Sequence, residues 1–135
     1  METIVDANVF FRTLISQGSI ILLFFDARLH LFAPEKLKQE FLNNKEEIMA
    51  KSELSEAEFD ELAALLFERI TFVLLDEYKA FLPEARRLLG NHLKDEDFIA
   101  LCLLKKAKLW TYEKRLWELG FGISTKEIAI QIYNS

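Results

Sequence analysis

Of the 135 residues, 22 are Asp or Glu, and most should be solvated surface charges, as is usual for these types. Four stand apart by position. Asp6 directly follows the apolar run Ile4-Val5. Glu40 sits just before Phe41-Leu42 inside a helical stretch. Asp97 opens the apolar run Phe98 to Leu104, and Glu113 lies three residues past Trp110. Taken alone, Asp6 reads as a helix cap, because Asp and Asn favour helix starts. Acids at the ends of other strands change that reading. The carboxyl ends of parallel strands share one crevice, so Asp6, Asp97 and Glu113 can converge there, with Glu40 from a neighbouring helix. Converging carboxylates repel and resist ionising together. A divalent cation removes that cost, and hard oxygen ligands suit Mg²⁺ or Mn²⁺. Such an ion can bind a phosphodiester oxygen, lower the pKa of an attacking water and stabilise the leaving oxygen. The chemistry this implies is metal-assisted hydrolysis of a phosphodiester.

Competing chemistries are poorly supplied. His30 falls in a strand and His92 in a turn, and nothing pairs either with Cys102. The phosphate-cradling patterns GxxxxGK[ST] and GxGxxG are absent. A phosphatase-like enzyme would use Asp6 as phosphoryl acceptor, but Asn8 stands where a two-Asp arrangement needs a second acid. Asp95 is an ambiguity. It lies two residues before Asp97, and on one helix the two do not share a face. A helix that starts differently would bring Asp95 into play.

The elements that must position these acids alternate along the chain. Thr3-Ile4-Val5 predicts a short strand buried on both faces, and Asn8 to Ser16 a helix broken at Gly18-Ser19. Ile20 to Phe25 predicts a second helix, Arg28 to Phe32 a second strand, and Pro34 to Met49 a helix with Pro34 in its first turn. Ser55 with Glu58 forms a capping-box pattern before Phe59 to Phe67. Thr71 to Leu75 reads as the third strand and Tyr78 to Leu89 as a helix ending at Gly90-Asn91. Asp95-Glu96-Asp97 opens an apolar helix closed by Lys105-Lys106, which complements the helix dipole at both ends. Lys108-Leu109-Trp110 is a fourth strand. Lys114 to Leu119 is a short helix, and Ser124 with Glu127 caps a last one. Strands separated by helices predict an α/β domain of three layers, α/β/α, with a short central parallel sheet of four or five strands.

The length fits one domain, residues 1–135. An apolar fraction of 51% with 12 Phe supplies a core, and only 4 Gly and 2 Pro argue against a loop-rich all-β protein. The single Cys102 cannot form an internal disulfide. Glu2 and Asp6 stand where a secretory leader would carry basic residues. A cytoplasmic setting is expected from both. The longest apolar run, Ile20 to Phe25, is too short to span a bilayer. A net charge of −5 excludes nucleic-acid binding through bulk positive charge, while fitting a protein that concentrates carboxylates.

Four segments resemble the PIN domain family in order along the chain. They are Ile4-Val5-Asp6-Ala7-Asn8-Val9, Phe32 to Phe41 around Glu40, Asp97-Phe98-Ile99-Ala100-Leu101 running into Lys108 to Leu116, and Ile123 to Ile128. The resemblance implies a three-layer α/β nuclease and a Mg²⁺ or Mn²⁺ site built from Asp6, Glu40 and Asp97, with Glu113 at the fourth acid position. It makes Asn8 and Thr111 supporting polar residues. The chain departs from the family in carrying Glu113 where Asp is usual, which adds a methylene and lets the carboxylate reach further.

Two functions follow from the resemblance. The first is a metal-dependent endoribonuclease, with RNA reached through local cations such as Arg12, Lys36, Lys38, Lys114 and Arg115. Many PIN domains are the toxin half of a toxin–antitoxin pair, so an antitoxin protein is a further expected partner. The second is a binding or scaffold module that keeps the fold without efficient catalysis. A homodimer is expected from the apolar Ile20 to Phe25 run, since exposed apolar patches mark association.

Overall fold

The computed structural model describes residues 1–134. Its elements in order are β1 (Glu2–Val5), α1 (Ala7–Ser16), α2 (Ile20–Phe24), β2 (His30–Pro34), α3 (Lys36–Ser52), α4 (Glu56–Glu68), β3 (Ile70–Val73), α5 (Leu75–Tyr78), α6 (Leu82–Leu89), α7 (Glu96–Lys105), β4 (Lys108–Trp110), α8 (Lys114–Glu118), β5 (Gly122–Ile123) and α9 (Thr125–Tyr133). The five strands form one all-parallel sheet in the order β3-β2-β1-β4-β5. The sheet is flanked by helices. α1, α3 and α4 pack on one another, and α7 packs on β1, β2 and β4 beside α6. Among the described residues no helix is long and apolar enough to cross a membrane.

The expected α/β class is what the chain adopts, and the reason is visible in β1. Thr3, Ile4 and Val5 are wholly buried, as a strand covered on both faces requires. The chain runs outward from β1 through β2 to β3, then returns to the other side of β1 for β4 and β5. The gap between the carboxyl ends of β1 and β4 is therefore the topological switch point, where open α/β sheets bind ligands. An aromatic cluster fills the layer beside it. Phe10 meets Phe24, Phe41 and Phe67 at ring distances of 4.6–6.3 Å, and Phe24 meets Trp110 of β4 at 5.3 Å.

Several boundaries differ from the sequence reading. Pro34 closes β2, opposite Val73, and α3 begins two residues later. On the β1 side the register has already ended at Ile4 opposite Phe32, so a residue without an N–H is tolerated there. Since β2 stops at Pro34, β3 stops at Val73, and Leu74 and Leu75 are exposed. The stretch expected as one helix from Tyr78 is split into α5, a 3₁₀ turn at Lys79–Phe81, and α6 with Pro83 in its first turn. Proline suits a first turn because the N–H it lacks has no helical partner there. Gly90 ends α6 at φ 62°, a left-handed conformation glycine takes without strain. The strand β5 is two residues long, and no periodicity marks it. A Cβ at Gly122 would lie 1.9 Å from Trp117 Cδ1, so only glycine lets the Trp117 ring lie against this strand.

Candidate metal centre

Asp6 is the first residue past β1 and the cap of α1. Its Oδ1 accepts the Ala7 N–H at 2.8 Å. Its Oδ2 accepts the Thr111 hydroxyl at 2.6 Å. The two residues meet because Val5 pairs with Trp110 and the Asp6 N–H donates to the Trp110 carbonyl at 3.0 Å. Thr111 is fully buried. Its hydroxyl also accepts the Glu113 N–H at 3.0 Å, and its carbonyl accepts the Trp117 indole N–H at 3.0 Å. One hydroxyl thus ties the Asp6 carboxylate to the backbone that carries Glu113, and Trp117 holds that backbone from behind.

Asp6, Asp95 and Glu113 each present a carboxylate oxygen, and these atoms all lie within 4.8 Å of one another. Asp95 ends a 3₁₀ turn at Leu93–Asp95 and precedes α7. Its side chain caps no helical N–H and is buried. Burial pushes the Asp6 carboxyl up to about 6, against the hydrogen bonds from Thr111 and Ala7, with the charges of Glu113 and Glu40 adding to the rise. Asp95 is also pushed well above the carboxylate range, first by burial, then by the charges of Asp6 and Glu113. The sole offset for Asp95 among its main influences is Lys94, whose Nζ lies 4.0 Å from Glu113 Oε1. Two buried acids that resist ionising, with a third carboxylate beside them, form a site short of positive charge.

Asp97 and Glu40 are placed differently. Asp97 lies in the first turn of α7, two residues on from Asp95, and faces another way. Its Oδ2 accepts the Tyr78 hydroxyl at 2.5 Å, and its Oδ1 is 3.8 Å from Lys36 Nζ. Burial and the Asp97 carboxylate together drive the Tyr78 hydroxyl far above its ordinary pKa. Lys36 also lies 4.0 Å from Glu40 Oε1 and donates to the Lys94 carbonyl at 2.8 Å. Glu40 is half-buried. Burial raises its pKa, Lys36 opposes the rise, and Asp95 adds to it. Glu40 therefore shares the field of the acidic crevice without being one of the three converging carboxylates. Asn8 makes its contact with the loop after β4, its Oδ1 accepting the Tyr112 N–H at a long 3.5 Å. Of the cations named from sequence, Lys38 pairs with Glu35, Lys114 with Glu118, and Arg115 donates to the Leu89 carbonyl. Arg12 lies over the Tyr112 ring, 5.3 Å from its centre.

The family model described as PIN domain matches residues 4–133, from within β1 to the end of α9. The chain belongs to the PIN domain family. A comparison with curated proteins found no match. PIN domains are generally nucleases that use a divalent metal, and this PIN domain has the donor set for one. Its triad, with Asp6 and Asp95 buried and Glu113 partly exposed, offers only hard carboxylate oxygens, the ligand type preferred by Mg²⁺ and Mn²⁺. The raised pKa values of Asp6 and Asp95 point the same way, since a bound cation would offset both the burial and the neighbouring negative charges that raise them.

Proposed function

We propose that this PIN domain is a metal-dependent endoribonuclease that hydrolyses RNA phosphodiester bonds at the switch point between β1 and β4. The observation that carries the reading is the convergence within 4.8 Å of carboxylate oxygens from the buried Asp6 and Asp95 and the partly exposed Glu113. These three residues would hold Mg²⁺ or Mn²⁺, which when bound activates a water and stabilises the leaving oxygen. Glu40 and Asp97, the other acids assigned from sequence, lie outside the triad with Lys36 between them. They would orient waters and substrate from that position. Thr111 keeps the Asp6 carboxylate in one rotamer, and Asn8 braces the Tyr112 backbone. A carboxylate has about four acceptor sites. With one oxygen bound to Ala7 and the other to Thr111, Asp6 keeps acceptor capacity for an ion.

A role as the toxin of a toxin–antitoxin pair, a homodimeric assembly and a cytoplasmic location belong to the same proposal. Phe25, at 41% exposure, supplies apolar surface for association. A second reading, a binding module with weak or no nuclease activity, is favoured by Glu113, because a longer acid holds an ion less rigidly than Asp. Purified protein incubated with RNA in Mn²⁺, Mg²⁺ or EDTA separates the two. Metal-dependent cleavage that disappears in Asp6→Asn supports the nuclease. Binding without cleavage supports the module, and equal cleavage by the variant assigns the activity to a contaminant.

A further inference from the structure

Beside the triad runs a groove of about 590 Å³ between α1, α2 and α9, within the size range of sites that take small organic groups. Arg12, Ser16, Leu22, Tyr112, Lys126 and Tyr133 are among its lining residues. It is joined to the acidic crevice in two ways. Tyr112 stands between Thr111 and Glu113, so its backbone belongs to the segment that builds the triad while its ring faces the groove. Asn8, Arg12 and Ser16 lie four residues apart on one face of α1 and lead from the Asp6 cap into the groove. The rise from Asp6 to Arg12 is about 9 Å along the helix.

The groove is chemically unlike the rest of this acidic protein. Arg12 and Lys126 are exposed, and among the described residues neither forms an ion pair. The Arg12 guanidinium lies over one side of the Tyr112 ring, and Tyr112 as a whole is 37% exposed. An exposed aromatic face with adjoining cations is the usual combination for stacking an unpaired base while holding its phosphate. A helix from a second copy of the chain would use Leu22 and the apolar walls but leave both cations without a partner. A polyanion uses both.

We propose that this groove is a base subsite, in which an unpaired nucleotide of single-stranded RNA stacks on Tyr112 with its phosphate beside Arg12 and Lys126. The proposal rests on the nuclease reading and adds a second point of grip next to the scissile bond. It is tested with a short fluorescein-labelled oligouridylate and a set in which one position at a time is abasic. Anisotropy is read with Ca²⁺ in place of Mg²⁺. Removing the base at one position should weaken binding to the wild-type protein by roughly 5- to 150-fold, the range for loss of one base–aromatic stack. Tyr112→Phe should keep that profile. Tyr112→Ala should bind the intact oligomer more weakly by a similar factor and lose the dependence on position. A flat abasic profile, or one unchanged in Tyr112→Ala, overturns the subsite; if Mn²⁺-dependent cleavage persists, the nuclease reading stands without it. A dimer that Leu22→Glu dissociates with RNA binding unchanged assigns the groove to a second copy and also overturns the subsite. Absence of both RNA binding and cleavage removes the nuclease reading and the subsite with it.

Discussion

Replacing Asp6 with Asn should stabilise the metal-free protein at neutral pH and remove its response to divalent cations. The fold holds the Asp6 carboxyl at about 6, against an ordinary 3.8. The native state therefore keeps a proton that the unfolded chain has already released. Each pH unit between the two values is worth ~1.4 kcal/mol, so the ionised carboxylate costs the native state about 3 kcal/mol. The sign follows from which state binds the proton. Below about pH 3 both states are protonated and there is no cost. Stability is lost as pH rises from the unfolded value through the folded one, and the loss is complete above about pH 7. Asparagine has nearly the same shape. Its oxygen can accept from Ala7, but its amide must donate to Thr111, whose hydroxyl proton then needs another acceptor. Allowing for that rearrangement, the net gain should be about 1–3 kcal/mol. For a chain of this size that is roughly 3–10 °C in melting temperature.

The assay is thermal unfolding of both proteins in EDTA across the acid-to-neutral range, followed by titration with Mn²⁺. The two melting temperatures should lie closest near pH 3 and separate as pH rises, with the variant higher. Mn²⁺ at about 100 times its dissociation constant should stabilise the wild type by about 2.7 kcal/mol and the variant by far less. A variant that melts no higher than the wild type at pH 8 would refute the penalty. Equal stabilisation of both by Mn²⁺ would show that the ion does not use Asp6.

Asp95→Asn and Asp97→Asn should part company. The first should lose most of the Mn²⁺-induced rise in melting temperature, since Asp95 is in the triad, and the second should keep it, since Asp97 is engaged with Tyr78 and Lys36. Gly122→Ala should cost about 1–3 kcal/mol in urea unfolding, the usual range for overpacking, because the new methyl group collides with Trp117. The displaced indole would also release the Thr111 carbonyl, so Mn²⁺ binding should weaken in calorimetry. Ser55→Ala should cost about 1 kcal/mol in the same unfolding assay, through loss of the hydroxyl that accepts the Glu58 N–H at 3.1 Å, and should leave Mn²⁺ binding unchanged.

The legible parts of this fold are those with an abrupt edge in the sequence. β4 is the three-residue strand expected, because Lys106 turns the chain at φ 54° just before it and Thr111 ends its apolar run. The capping boxes at Ser55 and Ser124 form as their spacing implies. The acids were harder to sort, and α7 shows why. Phe98, Ile99, Ala100, Leu101 and Cys102 are all buried, so the helix has no polar face from which its phase could be read. Choosing between Asp95 and Asp97 depends on that phase. The starting residue of the helix decides it, and the 3₁₀ turn that sets this start leaves no periodic signal in three residues. Glu40 met a similar limit. Its position beside the crevice depends on how α3 leaves β2, which is set by where the β2–β3 pairing ends at Pro34 opposite Val73 rather than by α3 itself.

Asp6 shows that capping a helix and holding an ion are compatible tasks for one carboxylate. The cap fixes the Asp6 backbone in an extended conformation at the end of β1 and uses Oδ1 on the Ala7 N–H. Thr111 then fixes the remaining torsion by holding Oδ2. Neither bond neutralises the charge, as the raised pKa makes plain. An acid serving only as a cap would face solvent, where the helix dipole and water together lower its pKa. Here burial and two other carboxylates overwhelm both hydrogen bonds. A buried acid with its rotamer fixed on both oxygens and its charge left uncompensated is organised to receive a cation, and Thr111 carries the same constraint across to Glu113 through the Glu113 N–H. The extra methylene of Glu113 then has a structural use. Its backbone is tied to Thr111, beyond the end of β4, and the longer side chain brings its carboxylate back to Asp95 and Asp6.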